Sequence, residues 1–97
     1  MQDVYLVTYT IGTDWVAGTP TKEQPGFRAH ADYLNALDKN NRLVIGGPLA
    51  DYSHVFLAIE ASGADEVRAI LRDDPWQQRD MLRIREVTQW VLLVDPR

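Results

Sequence analysis

The sequence contains no cysteine. That absence excludes disulfides, thiolate metal sites and cysteine nucleophiles together, and it fits a reducing compartment, so a cytoplasmic location is expected. No apolar run approaches the roughly 20 residues that a membrane-spanning helix needs. The start, Met1-Gln2-Asp3, lacks the basic residues and apolar stretch of a signal peptide. Positive charge is scarce as well: 10 Lys and Arg stand against 14 Asp and Glu, a formal net charge of −4. Neither nucleic acid nor a membrane is expected as a partner. Arg68, Arg72, Arg79, Arg83 and Arg85 do gather in the second half. Interleaved with Asp65, Glu66, Asp73 and Asp80, they read as a solvated face.

Ready-made chemistry is also lacking. There is no GxGxxG, no phosphate-cradling loop with a lysine, no HExxH, no GxSxG and no calcium-loop pattern. Gly46 and Gly47 are too few and wrongly placed for a dinucleotide loop. Two histidines, His30 and His54, share no helical spacing and are a thin basis for a metal centre. No metal and no cofactor are expected.

What is present is the alternation of a small globular domain spanning 1–97, with 45% hydrophobic residues. From Val4 to Ile11 the residues alternate as a strand: Val4, Leu6 and Thr8 point one way, Tyr5, Val7 and Tyr9 the other. The stretch Gly12 to Gly26 gathers Gly12, Gly18, Pro20, Pro25 and Gly26 and predicts a long loop. From Phe27 to about Asn41, Phe27, His30, Leu34 and Leu37 form one helical stripe, with Asn40-Asn41 as the stop signal. Leu43-Val44-Ile45 predicts a strand halted by a special turn at Gly46-Gly47-Pro48. Val55 to Ala61 predicts a third strand. Ser62-Gly63-Ala64-Asp65 outlines a helix N-cap, and the helix carrying Val67, Ile70 and Leu71 should stop near Asp74, because Pro75 disfavours helical geometry before it. Ile84 to Val94 reads as the last strand.

The order is βαββαβ, an α+β ferredoxin-like arrangement with a four-stranded antiparallel sheet. Two helices cover only one sheet face. Yet Val55, Leu57 and Ile59 oppose Phe56 and Ala58, and Ile84, Trp90, Leu92 and Val94 oppose Val87, Val91 and Leu93, so both faces read as apolar. A second copy of the chain is the simplest cover, and a homodimer is expected.

Two ionisable residues stand where apolar ones belong. His30 lies on the apolar stripe of the first helix. Asp74 lies four residues beyond Ile70 and seven beyond Val67, so it continues the stripe of the second. Both helices pack on one sheet face, which turns the two side chains toward each other. A lone inward histidine is usually a satisfied core residue, and an Asp before Pro is usually a helix terminator. A buried carboxylate, however, needs a partner. Around this pair, Trp15 is a large aromatic inside a loop and reads equally as a plug or as part of a ligand lid. Gly47-Pro48 is most simply a turn, though a glycine also lets a ligand approach the backbone. Tyr5, Tyr9, Trp76 and Trp90 read as core or dimer-contact aromatics.

The runs Arg28-Ala29-His30-Ala31-Asp32-Tyr33-Leu34, Arg42-Leu43-Val44-Ile45-Gly46-Gly47-Pro48-Leu49 and Asp73-Asp74-Pro75-Trp76, with Val87-Thr88-Gln89-Trp90 at the end, together resemble the YCII-related (YciI-like) proteins. The resemblance covers the chain from Val4 onward and rests on the order and spacing of its motifs. It implies a dimeric α+β barrel, a pocket around His30 and Asp74, and, by analogy with members of known activity, cofactor-independent lyase, dehydrochlorinase or isomerase-like chemistry on oxygenated rings. The chain departs from the pattern in its short turn after Gly47-Pro48-Leu49 and in the polar stretch Gln77-Gln78-Arg79-Asp80.

The expected function is therefore acid–base chemistry on a small oxygenated ring compound. His30 moves the proton and Asp74 orients the imidazole. Arg28, Gly47, Pro48, Trp15 and Trp76 are the candidates for contact with that ligand. The alternative, from a different class, is a non-catalytic ligand-binding or interaction module in which the His–Asp pair is structural. Fold alone does not separate the two.

Overall fold

A computed structural model of the chain describes residues 3–39 and 42–96. Strand β1 (Asp3–Ile11) leads through a long loop, with one 3-10 turn at Thr21–Glu23, into α1 (Phe27–Lys39). Strands β2 (Leu43–Pro48) and β3 (Val55–Ala61) follow, then α2 (Ala64–Arg72), a single turn α3 (Pro75–Gln78) and β4 (Leu82–Gln89). The four strands form one antiparallel sheet in the order β2-β3-β1-β4. This is the ferredoxin-like arrangement expected from the element order, with β1 and β3 in the centre.

The period of two along β1 decides where the core forms. Tyr5, Val7 and Tyr9 are all buried and pair with Ile59, Leu57 and Val55 of β3. Onto this face the helices bring Leu37, Val67, Leu71 and Trp76, and Met81 and Leu82 close one end. The expected apolar stripe of α1 is the packed one: His30 and Leu37 are buried, and Phe27 and Leu34 lean against the core. The expected stop at Asn40-Asn41 lies outside the described residues.

Five local expectations are corrected. Gly46-Gly47-Pro48 does not halt β2, which runs through all three residues and pairs them with Leu57, Phe56 and Val55. Gly46 lets β3 approach closely, since a Cβ would stand 2.7 Å from Leu57 Cδ1 and 3.3 Å from Phe56 O and force the leucine to shift, and Pro48 is tolerated because β2 is an edge strand. Second, β4 ends at Gln89, and Val91, Leu93 and Val94 lie exposed beyond it. Third, Ile84 and Val87 do not oppose each other. A register shift sets Ile84 against Tyr9 and Val87 against Val7, so both pack on the helix-covered face. An extra residue in one strand flips the alternation after it.

Fourth, α2 stops at Arg72, so Asp74 does not continue its stripe but precedes the next turn of helix. Fifth, the N-cap of α2 is Gly63 rather than Ser62. The Ser62 hydroxyl instead donates to Glu66 at 2.9 Å.

The opposite sheet face has no helix over it. Thr88, Leu6, Ala58 and Ile45 lie in one cross-strand row, with Phe56 and Gly47 paired beside it. Ile45 is 68% exposed, and Trp90, whose N–H donates to Val4 O at 2.8 Å, is half-exposed alongside. The apolar second face is thus carried by Leu6, Ile45, Phe56, Ala58 and Trp90, not by residues 91–94.

Candidate functional site

Asp74 begins α3, and its position follows from Pro75. A residue before proline is pushed to extended geometry, and Asp74 takes it, with φ −63° and ψ 125°. From there its Oδ1 accepts the Trp76 N–H at 3.0 Å, an N-cap bond. Proline at the first helical position, where no N–H is needed, completes the turn. The turn carries Trp76 into the core, where its indole N–H donates to Pro25 O at 2.9 Å. This bond docks the segment preceding α1.

The next residue, Gly26, has φ +75°, and a Cβ on it would lie 2.7 Å from an Arg79 guanidinium nitrogen. The left-handed φ is what favours glycine here, since the guanidinium could swing aside from a Cβ. The Gly26 carbonyl then accepts the His30 N–H at 3.1 Å. The position of His30 along α1 is therefore set from the loop that Trp76 anchors.

His30 and Asp74 meet. His30 Nδ1 lies 2.9 Å from Asp74 Oδ1 and 2.8 Å from Oδ2, with both residues buried. The imidazole also lies flat on the Trp76 indole, centroid to centroid 4.1 Å at an interplanar angle of 8°. A carboxylate only accepts, so Nδ1 carries the proton, and in the neutral imidazole the lone pair is then on Nε2. Nε2 has no hydrogen-bond partner among the described residues, and His30 lines a cavity of about 270 Å³. A cavity of roughly 150 Å³ suffices for benzene, so this one accommodates a single substituted ring.

Phe27 and Leu34 of α1, Leu43 of β2 and Val55, Phe56 and Leu57 of β3 make most of the wall apolar. The expected contacts Gly47, Pro48 and Trp76 do line it. Arg28 and Trp15 do not. Arg28 is exposed on α1 outside the lining. Trp15 packs edge-on against Trp76 at 5.7 Å and is not among the residues that line the cavity. Of its two readings, the plug describes its place. Gln24, 3% exposed, fastens the same loop: its side chain accepts from Val16 N–H at 2.9 Å and donates to Val16 O and Thr19 O.

Sequence reasoning missed Tyr9 and Thr21, which also line the cavity. Tyr9 alternates like any core residue of β1, and nothing in the pattern marks it as lining a cavity. Burial, first, and then the negative charge of Asp74 and the nearby Tyr33 push the Tyr9 hydroxyl well above its ordinary pKa. It remains a protonated donor throughout the physiological range. Tyr33, from α1, donates to Ile70 O and ties α1 to α2. Its pKa is raised by burial and by Asp73 and Asp74.

Among the described residues no group of three or more His, Cys, Asp or Glu could hold a metal ion. No described helix is long and apolar enough to cross a membrane. No curated protein and no solved structure matches the chain. A family model does, over residues 4–91, the stretch holding every strand, helix and site residue described above apart from one residue of β1, and the chain belongs to the family of the YCII-related domain.

Proposed function

We propose that the protein is a small cofactor-independent enzyme performing acid–base chemistry on an oxygenated ring compound. The observation that carries this reading is the His30 imidazole, clamped through Nδ1 to Asp74 and leaving Nε2 unpartnered at an apolar cavity. Nε2 takes a proton from a carbon of the bound compound, and the electron pair left behind shifts through the adjoining carbon–carbon bond onto a carbonyl oxygen carried by the ring, giving an enolate. The Tyr9 hydroxyl donates to that oxygen as its charge develops, in surroundings where such a bond is stronger than in water. Asp74 stabilises the imidazolium, which returns the proton at another atom of the ring or holds it until a leaving group departs. Trp76 stacked on the imidazole keeps the ring from turning.

The test is solvent exchange. A panel of hydroxylated aromatic rings and unsaturated lactones is incubated with the protein in deuterated water and followed by NMR. Wild type should place deuterium at a ring carbon of at least one compound, and His30→Gln should not. Compounds that bind both proteins equally, with no exchange in either, would leave a ligand-binding module with a structural His–Asp pair.

The same reading includes a homodimer. It is supported by the uncovered apolar row of Leu6, Ile45 and Ala58, flanked by Phe56 and Trp90, on the sheet face that no helix covers. A second copy meeting it face to face buries these side chains, and the cavity wall at Gly47 and Phe56 then lies directly beneath the contact.

A further inference from the structure

The polar side chains on the cavity wall are few, and those that are buried gather at one end. Thr21 Oγ1 is fully buried, so Thr21 meets the cavity through other atoms. The Trp76 indole N–H is taken by Pro25 O. Asn35 lines the cavity from an exposed position on α1, at the rim. His30 and Tyr9 remain, both buried. Asp74 places them together: it is bonded to His30, and its charge acts on the Tyr9 hydroxyl.

The rest of the wall offers a ligand little that is polar. Leu34 of α1, Leu43 of β2 and Val55 and Leu57 of β3 supply apolar surface. Among the described residues no Lys, Arg, Asp or Glu lines the cavity, and Arg28, two residues before His30, lies outside it. The net charge of −4 also works against an anionic ligand. At about 270 Å³ the cavity is well above the roughly 150 Å³ that holds benzene. A second hydroxyl set against this wall loses its bonds to water without replacement, and a carboxylate loses more. A methylene group there gains instead.

We propose that the ligand is a neutral ring compound with its oxygen function at one end, against His30 and Tyr9, and an apolar substituent of several carbons against Leu34, Leu43 and Val55. The proposal rests on the reading of this cavity as the substrate site. It narrows the substrate class from oxygenated rings in general to amphipathic ones, and it sets aside polyhydroxylated and anionic rings.

The experiment titrates wild type with phenol, the three propylphenols, the three dihydroxybenzenes and 4-hydroxybenzoate, by calorimetry and by NMR of the methyl groups. Phenol stands in for the enolised ring. Each buried methylene is worth roughly a factor of four, so at least one propylphenol should bind at least about ten-fold more tightly than phenol. No dihydroxybenzene should bind more tightly than phenol, and neither should 4-hydroxybenzoate. The tightest propylphenol should shift the methyl signals of Leu34, Leu43 and Val55 and leave those of Leu6 and Ile45, on the uncovered sheet face, in place. Tighter binding of any dihydroxybenzene or of 4-hydroxybenzoate, no gain from the propyl group, or shifts confined to Leu6 and Ile45 would each overturn the proposal. Failure of the acid–base reading is seen separately, as deuterium exchange that His30→Gln leaves untouched while the preference for the propylphenol persists.

Discussion

His30 on α1 and Asp74 ahead of α3, 44 residues apart in sequence, are joined through a single ring nitrogen, Nδ1 lying 2.9 and 2.8 Å from the two carboxylate oxygens. The same carboxylate accepts the Trp76 N–H, and the Trp76 ring is the surface on which the imidazole lies. One aspartate therefore caps a helix, sets the histidine tautomer and places the aromatic that backs it. Substitutions at this point separate the three roles.

Asp74→Asn should keep the cap, since Asn caps helices as well as Asp does, but it loses the charge and leaves the imidazole tautomer unspecified. We expect the fold to be retained at a cost of about 1–3 kcal/mol and ring-proton exchange to fall by at least about 100-fold. Denaturant melts and the NMR exchange assay read the two effects. Full exchange activity in Asp74→Asn would mean that the carboxylate does not support the imidazole.

Trp76 is 1% exposed and touches Trp15, Phe27 and His30. Trp76→Ala should destabilise the protein by about 3–5 kcal/mol, the usual range for a buried aromatic truncated to alanine. Chemical denaturation measures it, and a loss below about 1 kcal/mol would contradict the packing described.

Gln24→Ala removes three hydrogen bonds inside the loop. The expected cost is about 1–3 kcal/mol, confined to the loop. Hydrogen exchange at the Val16 amide, which donates to Gln24 in the native protein, should accelerate, while amides of β1 and β3 keep their protection.

The uncovered sheet face predicts a solution mass twice the 11.1 kDa of the chain. Leu6→Glu, placed in the centre of that face, should yield monomers of reduced stability, because it sets a charge against an apolar contact. Light scattering on both proteins at micromolar concentration gives the answer, and a wild-type monomer would sink the dimer.

Asp80 predicts an acid limb. The Arg83 guanidinium, first, and the Thr13 N–H hold its carboxyl well below the ordinary carboxylate value. A depressed folded pKa contributes stability that is present above the unfolded value of about 3.9 and is lost as pH falls through the folded one. Thermal stability should therefore drop below about pH 4, and Asp80→Asn should flatten that part of the profile. The group is exposed, so the effect is modest and shrinks with added salt.

The element order and the α1 stripe were legible in the sequence because they are local. Alternation with period two and spacing of three and four residues report which face of a strand or helix is apolar, and a sheet with two crossover helices leaves few ways to bury those faces. His30 and Asp74 were legible for a related reason: each is a polar residue where burial demands a partner. The route that joins them was not. Asp74 reaches His30 as the cap of a separate helical turn, set by Pro75, rather than as a continuation of α2. The extra residue near Ile84, the strand through Gly46 and Gly47, and the placement of Tyr9 and Thr21 on the cavity wall were decided only by tertiary structure. A register shift, a close strand approach and a cavity walled by side chains from several elements are relations between segments distant in sequence. No window of neighbouring residues contains the contacts that create them.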